Sequence, residues 1–259
     1  MIKEINKEDI MPFQSLQSKI GLIFDGFRNN NISSDDYHVL LYLISAYKDN
    51  LFSIELVNDN SQTKERLIEQ LRNSNNDSKS QYYKIFQIFE PTIQRLSENA
   101  IKHFFTVFGY LNKQVLIDNF SDIFDGLLYR ILKSQGRYGA EFVQPVELTR
   151  FIFDLADLNK STKIFNPFAG LASYGVYLDK GQEYSGQEQN QKTWALGALR
   201  LMAYGRPVSL NYVCDDSILN WPAPNEKFDM IISSPPLGVR IRNQNGKIET
   251  NFDTIEHFL

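Results

Sequence analysis

Apolar and polar positions follow two different rhythms along this chain. From about Pro12 to Ser134 apolar residues recur at three- and four-residue intervals, the spacing that gives a helix one buried face. Phe13, Leu16, Ile20, Ile23, Phe24 and Phe27 predict a first helix. Ser33, Ser34, Asp35 and Asp36 supply N-cap oxygens for a second, carrying Tyr37, Leu40, Leu41, Ile44 and Tyr47. Leu51 to Val57 reads as a strand or a buried connection, which periodicity does not separate. A helix over Thr63 to Arg72 precedes the polar run 73–80, which is loop chemistry. Gln81 to Phe89 predicts another helix. Pro91 is placed in the first turn of the next, where its missing N–H leaves no bond unmade. That helix carries Ile93, Leu96, Ile101, Phe104, Phe105 and Phe108, and a last one runs from Phe120 through Ile123, Phe124, Leu127, Leu128 and Ile131. The aromatic stripes read as core packing rather than as platforms for bases.

The rhythm changes near Gln135–Gly139. Gln144-Pro145 opens a helix whose expected apolar face is Val146, Leu148, Phe151, Ile152 and Leu155. Proline at the first helical position leaves the amides of that turn pointing outward, which is an anion site or simply a helix start. From Lys163 strands and helices alternate. The expected strands are 163–165, 183–188, 208–214 and 227–233, with a helix over Thr193 to Tyr204, and this order predicts a parallel sheet of βαβ units. Met230, Ile231 and Ile232 are apolar on both faces, as a central parallel strand requires.

Length and charge narrow the classes. A chain of 259 residues allows one large domain or two moderate ones. The net charge of −4 gives no global positive field for nucleic acid, so a role on DNA needs a local basic face or a basic partner. Cys214 is the single cysteine, which excludes an intrachain disulfide, and His38, His103 and His257 are too scattered for a metal site, so no metal is expected. The charged start of the chain and the lack of a membrane-length apolar run predict a cytoplasmic protein without a membrane span.

The candidate chemistry sits at the ends of the predicted strands, where open parallel sheets bind ligands. The first ends in the small turn Asn166-Pro167-Phe168-Ala169-Gly170, where Gly170 allows close approach of a cofactor to the backbone. Glu188 ends the second, placed to accept from both hydroxyls of a ribose, although alone it reads better as a surface glutamate. Asp215 and Asp216 end the third, facing an adenine amino group or capping the next helix. Ser234-Pro235-Pro236-Leu237 follows the fourth. Two prolines there hold the backbone extended, so that the Ser234 hydroxyl with the Ser234 or Pro235 carbonyl can accept from an exocyclic amino group.

Taken together, "EFVQP", "NPFAG", "GQEQNQKTWALGALRLMAYG", "CDDS" and "FDMIISSPPL" resemble S-adenosylmethionine-dependent DNA adenine-N6 methyltransferases, and most of all the modification subunit of type I restriction systems. The resemblance covers residues from about Phe120 to Pro236; the first hundred share only helical content. It implies an α/β protein with an all-helical N-terminal domain (1–134) and a Rossmann-like methyltransferase domain (135–259). Of that domain's seven strands only the first four are in the sequence. It implies S-adenosylmethionine as cofactor, with Glu141, Phe142, Val143, Gln144, Pro145 and Val146 at its methionine end. Asn166, Phe168, Ala169 and Gly170 lie beside it, Glu188 on the ribose, and Asp216 and Ser217 by the adenine. Ser234, Pro235, Pro236 and Leu237 stand at the catalytic position that holds a flipped target base. Implied partners are DNA, a specificity subunit that selects the sequence, and a restriction subunit.

The sequence departs from the family's pattern in several places. Asn166 replaces the usual Asp, Ala172 a second glycine, and Gln144 the common Thr; Ser234 stands where Asn is preferred and Leu237 where an aromatic is. An aromatic stacked on a base is worth about 1–3 kcal/mol, which Leu237 does not supply. A non-catalytic assembly module is therefore one alternative, and an amino-methyltransferase for cytosine-N4, RNA or a protein glutamine amide is another. The early stop after the fourth strand predicts an N-terminal portion of a longer protein, or a sheet completed by another chain. The run 240–251 reads as a basic loop, lying over DNA or solvated.

Overall fold

The computed structural model describes residues 18–26, 28–29, 32–57, 62–75, 81–135, 144–156, 162–206, 211–220, 227–235, 241–242 and 248–249. Two compact units result: Met1–Val143 with Ala195–Val208, and Gln144–Trp194 with Ser209–Leu259. No helix among the described residues is long and apolar enough to cross a membrane.

The first unit is helical. Its helices are 18–26, Val39–Lys48, Ile54–Val57, Thr63–Ser74, Gln81–Arg95, Glu98–Gly109, Lys113–Asp118 and Phe120–Ser134. Caps set several starts: Ser97 accepts from the Ala100 amide at 3.2 Å and Asn112 from the Val115 amide at 3.1 Å. Ser33 caps a single 3-10 turn, Ser34–Asp36, and the α-helix starts only at Val39. The aromatic stripes are core. Tyr42, Phe89, Phe104, Phe105, Phe108 and Phe124 are all buried, with Phe104 and Phe108 stacked at 3.9 Å between centroids.

Leu51–Val57 is neither strand nor plain connection, because Ile54–Val57 forms one helical turn. Pro91 does not start a helix; it lies inside Gln81–Arg95. Interior proline costs about 3 kcal/mol, yet Phe89, Thr92, Ile93 and Leu96 are buried around it and hold the helix together. The break falls instead at Ser97. The short helix Lys113–Asp118 was not legible from spacing.

The second unit carries the sheet. Strands β1 (Lys163–Asn166), β2 (Glu183–Glu188), β3 (Tyr212–Cys214) and β4 (Met230–Ile231) are all parallel, in the order β3-β2-β1-β4. The register sets Ile164 of β1 beside Tyr184 of β2 and Met230 of β4. The chain thus moves outward from β1 to β3 and then crosses back to the other side of β1. Such a reversal opens a crevice at the carboxyl ends of the two strands. Beneath it Ile164, Tyr174, Leu178 and Ile232 form a buried cluster, against which Ile152, Phe153 and Met230 pack.

Among the described strands β4 pairs with β1 alone, and Ile231 is 54% exposed. Two expectations in this unit are revised. Of the apolar face expected for the helix Val146–Ala156, Ile152 packs inward, together with Thr149, Phe153 and Ala156, whereas Leu148, Phe151 and Leu155 are 45%, 57% and 70% exposed. Within 240–251, Ile241–Arg242 (β5) and Ile248–Glu249 (β6) pair antiparallel, where a loop was expected.

Candidate functional site

The crevice between β1 and β4 is bounded by the turn that leaves β1. Asn166, buried at the strand end, accepts from the Phe168 amide at 3.2 Å, which folds the chain back on itself. The same oxygen accepts from the Ser233 hydroxyl at 3.0 Å, tying the end of β1 to the end of β4. Its amide nitrogen donates to the buried Tyr184 hydroxyl at 3.4 Å. Ala169 donates its amide to the Gln187 carbonyl at 2.8 Å. Gly170 takes a left-handed φ of 53°, and a Cβ built there meets nothing within 4 Å, so the space above it is open. Ala172 also has a positive φ, 55°, a strained value for alanine.

Glu188 faces this turn from the end of β2. One carboxylate oxygen accepts from the Gly170 amide at 3.0 Å and the other from the Asn190 amide at 2.7 Å. Burial raises its pKa above the ordinary carboxylate value, and the two amide donors pull it part of the way back. Each oxygen keeps a lone pair for a further donor. Open space over Gly170 beside a carboxylate with unfilled acceptors suits a ribose diol, so these residues fit the expected cofactor.

The floor of the turn is braced by groups the sequence did not single out. Tyr212 of β3 is buried, stacks on Trp194 and donates its hydroxyl to the Gly170 carbonyl at 2.7 Å; burial pushes its pKa well up, so it stays a donor. Ser217 is buried, and its hydroxyl reaches the Pro167 carbonyl and the Gln187 side-chain oxygen, the latter at 3.0 Å. The Gln187 side chain donates to the Asn220 carbonyl at 2.9 Å. Asp216 caps the following turn through the Ile218 amide at 2.8 Å, and its other oxygen accepts from Gln189 at 2.9 Å.

On the β4 side Ser234 and Pro235 are exposed. The Ser234 hydroxyl donates to the Gln144 side-chain oxygen at 2.8 Å and lies 3.3 Å from the Tyr174 hydroxyl. Pro145 and Val146 stand at the start of the Val146–Ala156 helix. The structure thus gathers Gln144, Asn166, Phe168, Ala169, Gly170, Glu188, Asp216, Ser217 and Ser234 in one unit, at the ends of its strands. Glu141, Phe142, Val143, Pro236 and Leu237 lie outside the described residues. Tyr174, Tyr184, Gln187, Tyr212 and Ser233 were missed, since each acts through a partner distant in sequence.

Residues 115–257 match the family described as N-6 DNA Methylase. A search among curated protein sequences found no match. Among solved structures, the fold is similar to the type I restriction-modification system methyltransferase subunit from Streptococcus thermophilus, with a TM-score of 0.64 and 16% identity, over 90% of this chain and 65% of that one. It is also similar to a chain from a study of complex assembly and conformational transition of the type I R-M system, with a TM-score of 0.59 and 16% identity, over 89% of this chain and 56% of that one. The chain therefore spans under two thirds of the length of both.

Proposed function

The chain belongs to the N-6 DNA methylase family, and on that premise we propose that it is a methyltransferase subunit of a type I restriction-modification system, transferring a methyl group from S-adenosylmethionine to adenine N6 in DNA. One observation carries the reading: Glu188 and Ser234 flank the same β1 turn at the reversal of strand order, tied through Gly170 on one side and through Ser233 and Asn166 on the other.

S-adenosylmethionine supplies, when bound, an electrophilic methyl group on a sulfonium. The residues of this chain do the rest. Glu188 accepts from the ribose hydroxyls, Gly170 admits the cofactor close to the backbone, and Asp216 stands by the adenine. Ser217 and Tyr212 hold the turn rigid from beneath. Ser234 accepts an N–H of the target amino group at its Oγ and so orients the nitrogen lone pair. A target amino group inside a duplex is out of reach, so the base is taken out of the stack. Sequence choice falls to a specificity subunit, consistent with the net charge of −4, with a restriction subunit as a further partner and the cytoplasm as the place of action.

Labelled methyl transfer to DNA by the chain assembled with its partner subunits tests this. N6-methyladenine is the expected product by mass spectrometry. Label on cytosine N4, RNA or a protein glutamine would move the acceptor, and no incorporation would leave an assembly module.

A further inference from the structure

Gln144 and Ser234, ninety positions apart, meet. The Ser234 hydroxyl lies 2.8 Å from the Gln144 side-chain oxygen. Which way that amide faces is set from behind. Thr149, fully buried one turn into the helix, donates its hydroxyl to the Pro145 carbonyl at 3.3 Å and so must accept from the Gln144 amide nitrogen at 3.0 Å. The Gln144 oxygen is therefore left to take the Ser234 proton. A hydroxyl has one proton and two acceptor positions. With its proton committed, Ser234 can only accept from the Tyr174 hydroxyl at 3.3 Å. Tyr174 is itself fixed, buried in the cluster beneath β1 and β4 with its ring 5.8 Å from that of Phe153. Among the described residues nothing else bonds Ser234, which leaves one lone pair open on an exposed residue.

We propose that Gln144 and Tyr174 are positioning residues that make Ser234 an obligate acceptor, so that the site takes a base presenting an amino group and rejects one presenting a carbonyl at the same place. This rests on the methyltransferase reading and goes beyond it: Gln144 acts on the acceptor end of the site. A carbonyl oxygen facing the free lone pair finds no donor, and an unmade hydrogen bond of this kind changes affinity about tenfold.

The test compares binding of 2′-deoxyadenosine and 2′-deoxyinosine, by equilibrium dialysis, to the full chain and its variants. The wild type is expected to prefer deoxyadenosine about tenfold. In Gln144→Leu the Ser234 hydroxyl is released to donate, and the preference should fall to about twofold or less. Gln144→Glu, which still accepts the proton, should restore it; a purely structural role for Gln144 would not produce this recovery of a ratio. A preference that persists in Gln144→Leu overturns the inference, as does a wild type that binds neither nucleoside or both equally. S-adenosylmethionine binding by the same samples tells the two levels apart: cofactor binding without selectivity sinks only this inference, and no cofactor binding sinks the reading beneath it.

Discussion

Each unit of this protein contains a polar cluster, and the two are built to opposite ends. In the helical unit the Arg200 guanidinium is 1% exposed and bonds both oxygens of Asp125, at 2.7 and 2.9 Å, while Tyr204 donates to the second oxygen at 2.7 Å. That cluster is closed, and its groups face one another. In the sheet unit the chain of bonds from Thr149 through Gln144 ends on Ser234, which is exposed and has an acceptor left over. A closed cluster serves stability; one that ends on an open lone pair serves recognition.

Breaking the closed cluster has the largest expected effect. Asp125→Ala removes the carboxylate from a buried guanidinium and should lower stability by about 3 kcal/mol in denaturant unfolding. The preference between the two nucleosides should survive under folded conditions. If selectivity vanished while stability held, the distinction between the clusters would be wrong.

A smaller loss is expected beneath the cofactor turn. A Cβ on Gly186 would lie 2.9 Å from the Tyr184 hydroxyl and 3.0 Å from the Ala169 Cβ. Gly186→Ala should therefore destabilise by about 1–3 kcal/mol and weaken S-adenosylmethionine binding, because the strain falls on the turn itself. Thermal unfolding and calorimetry on the same sample would check both.

Acidity sharpens the picture further. Burial raises the pKa of Glu188 in the folded chain above its unfolded value. Its contribution to stability is therefore fully present below the unfolded pKa and is lost as pH rises through the folded one. On the proposed reading cofactor binding runs the other way, since the ribose hydroxyls would donate to the carboxylate. Affinity should fall about tenfold per pH unit below the raised pKa, at a higher pH than an ordinary glutamate would give, and Glu188→Gln should remove the dependence.

The smallest change expected is a gain. Ala172 occupies a left-handed φ of 55°, a conformation that favours glycine. Ala172→Gly should stabilise the chain by about 0.5–1 kcal/mol, strain relief exceeding the added unfolded-state entropy, measurable as a raised melting temperature.

These cases also show what linear spacing carries. The ends of β1 and β2 were legible because a short apolar strand followed by Asn-Pro-Phe-Ala-Gly, or closed by a carboxylate, leaves a local mark. The bracing of those ends was not. Tyr212 reaches Gly170 across 42 positions and Ser233 reaches Asn166 across 67, and only the parallel register brings them together. The Leu148–Phe151–Leu155 stripe failed for another reason: periodicity finds an apolar face but does not say what lies against it. Pro91 was misplaced because local backbone preference was outweighed by packing on both sides of it.

The cofactor pocket proposed at the strand reversal is probed by calorimetric titration with S-adenosylmethionine of the full chain and its Glu188→Ala variant. Saturable one-to-one binding is expected of the wild type. Removing the ribose carboxylate, whose charged hydrogen bonds are worth about 1.5–3 kcal/mol, should weaken it about ten- to a hundredfold. A folded wild type that gives no binding heat, or a variant that binds as tightly as the wild type, would contradict it.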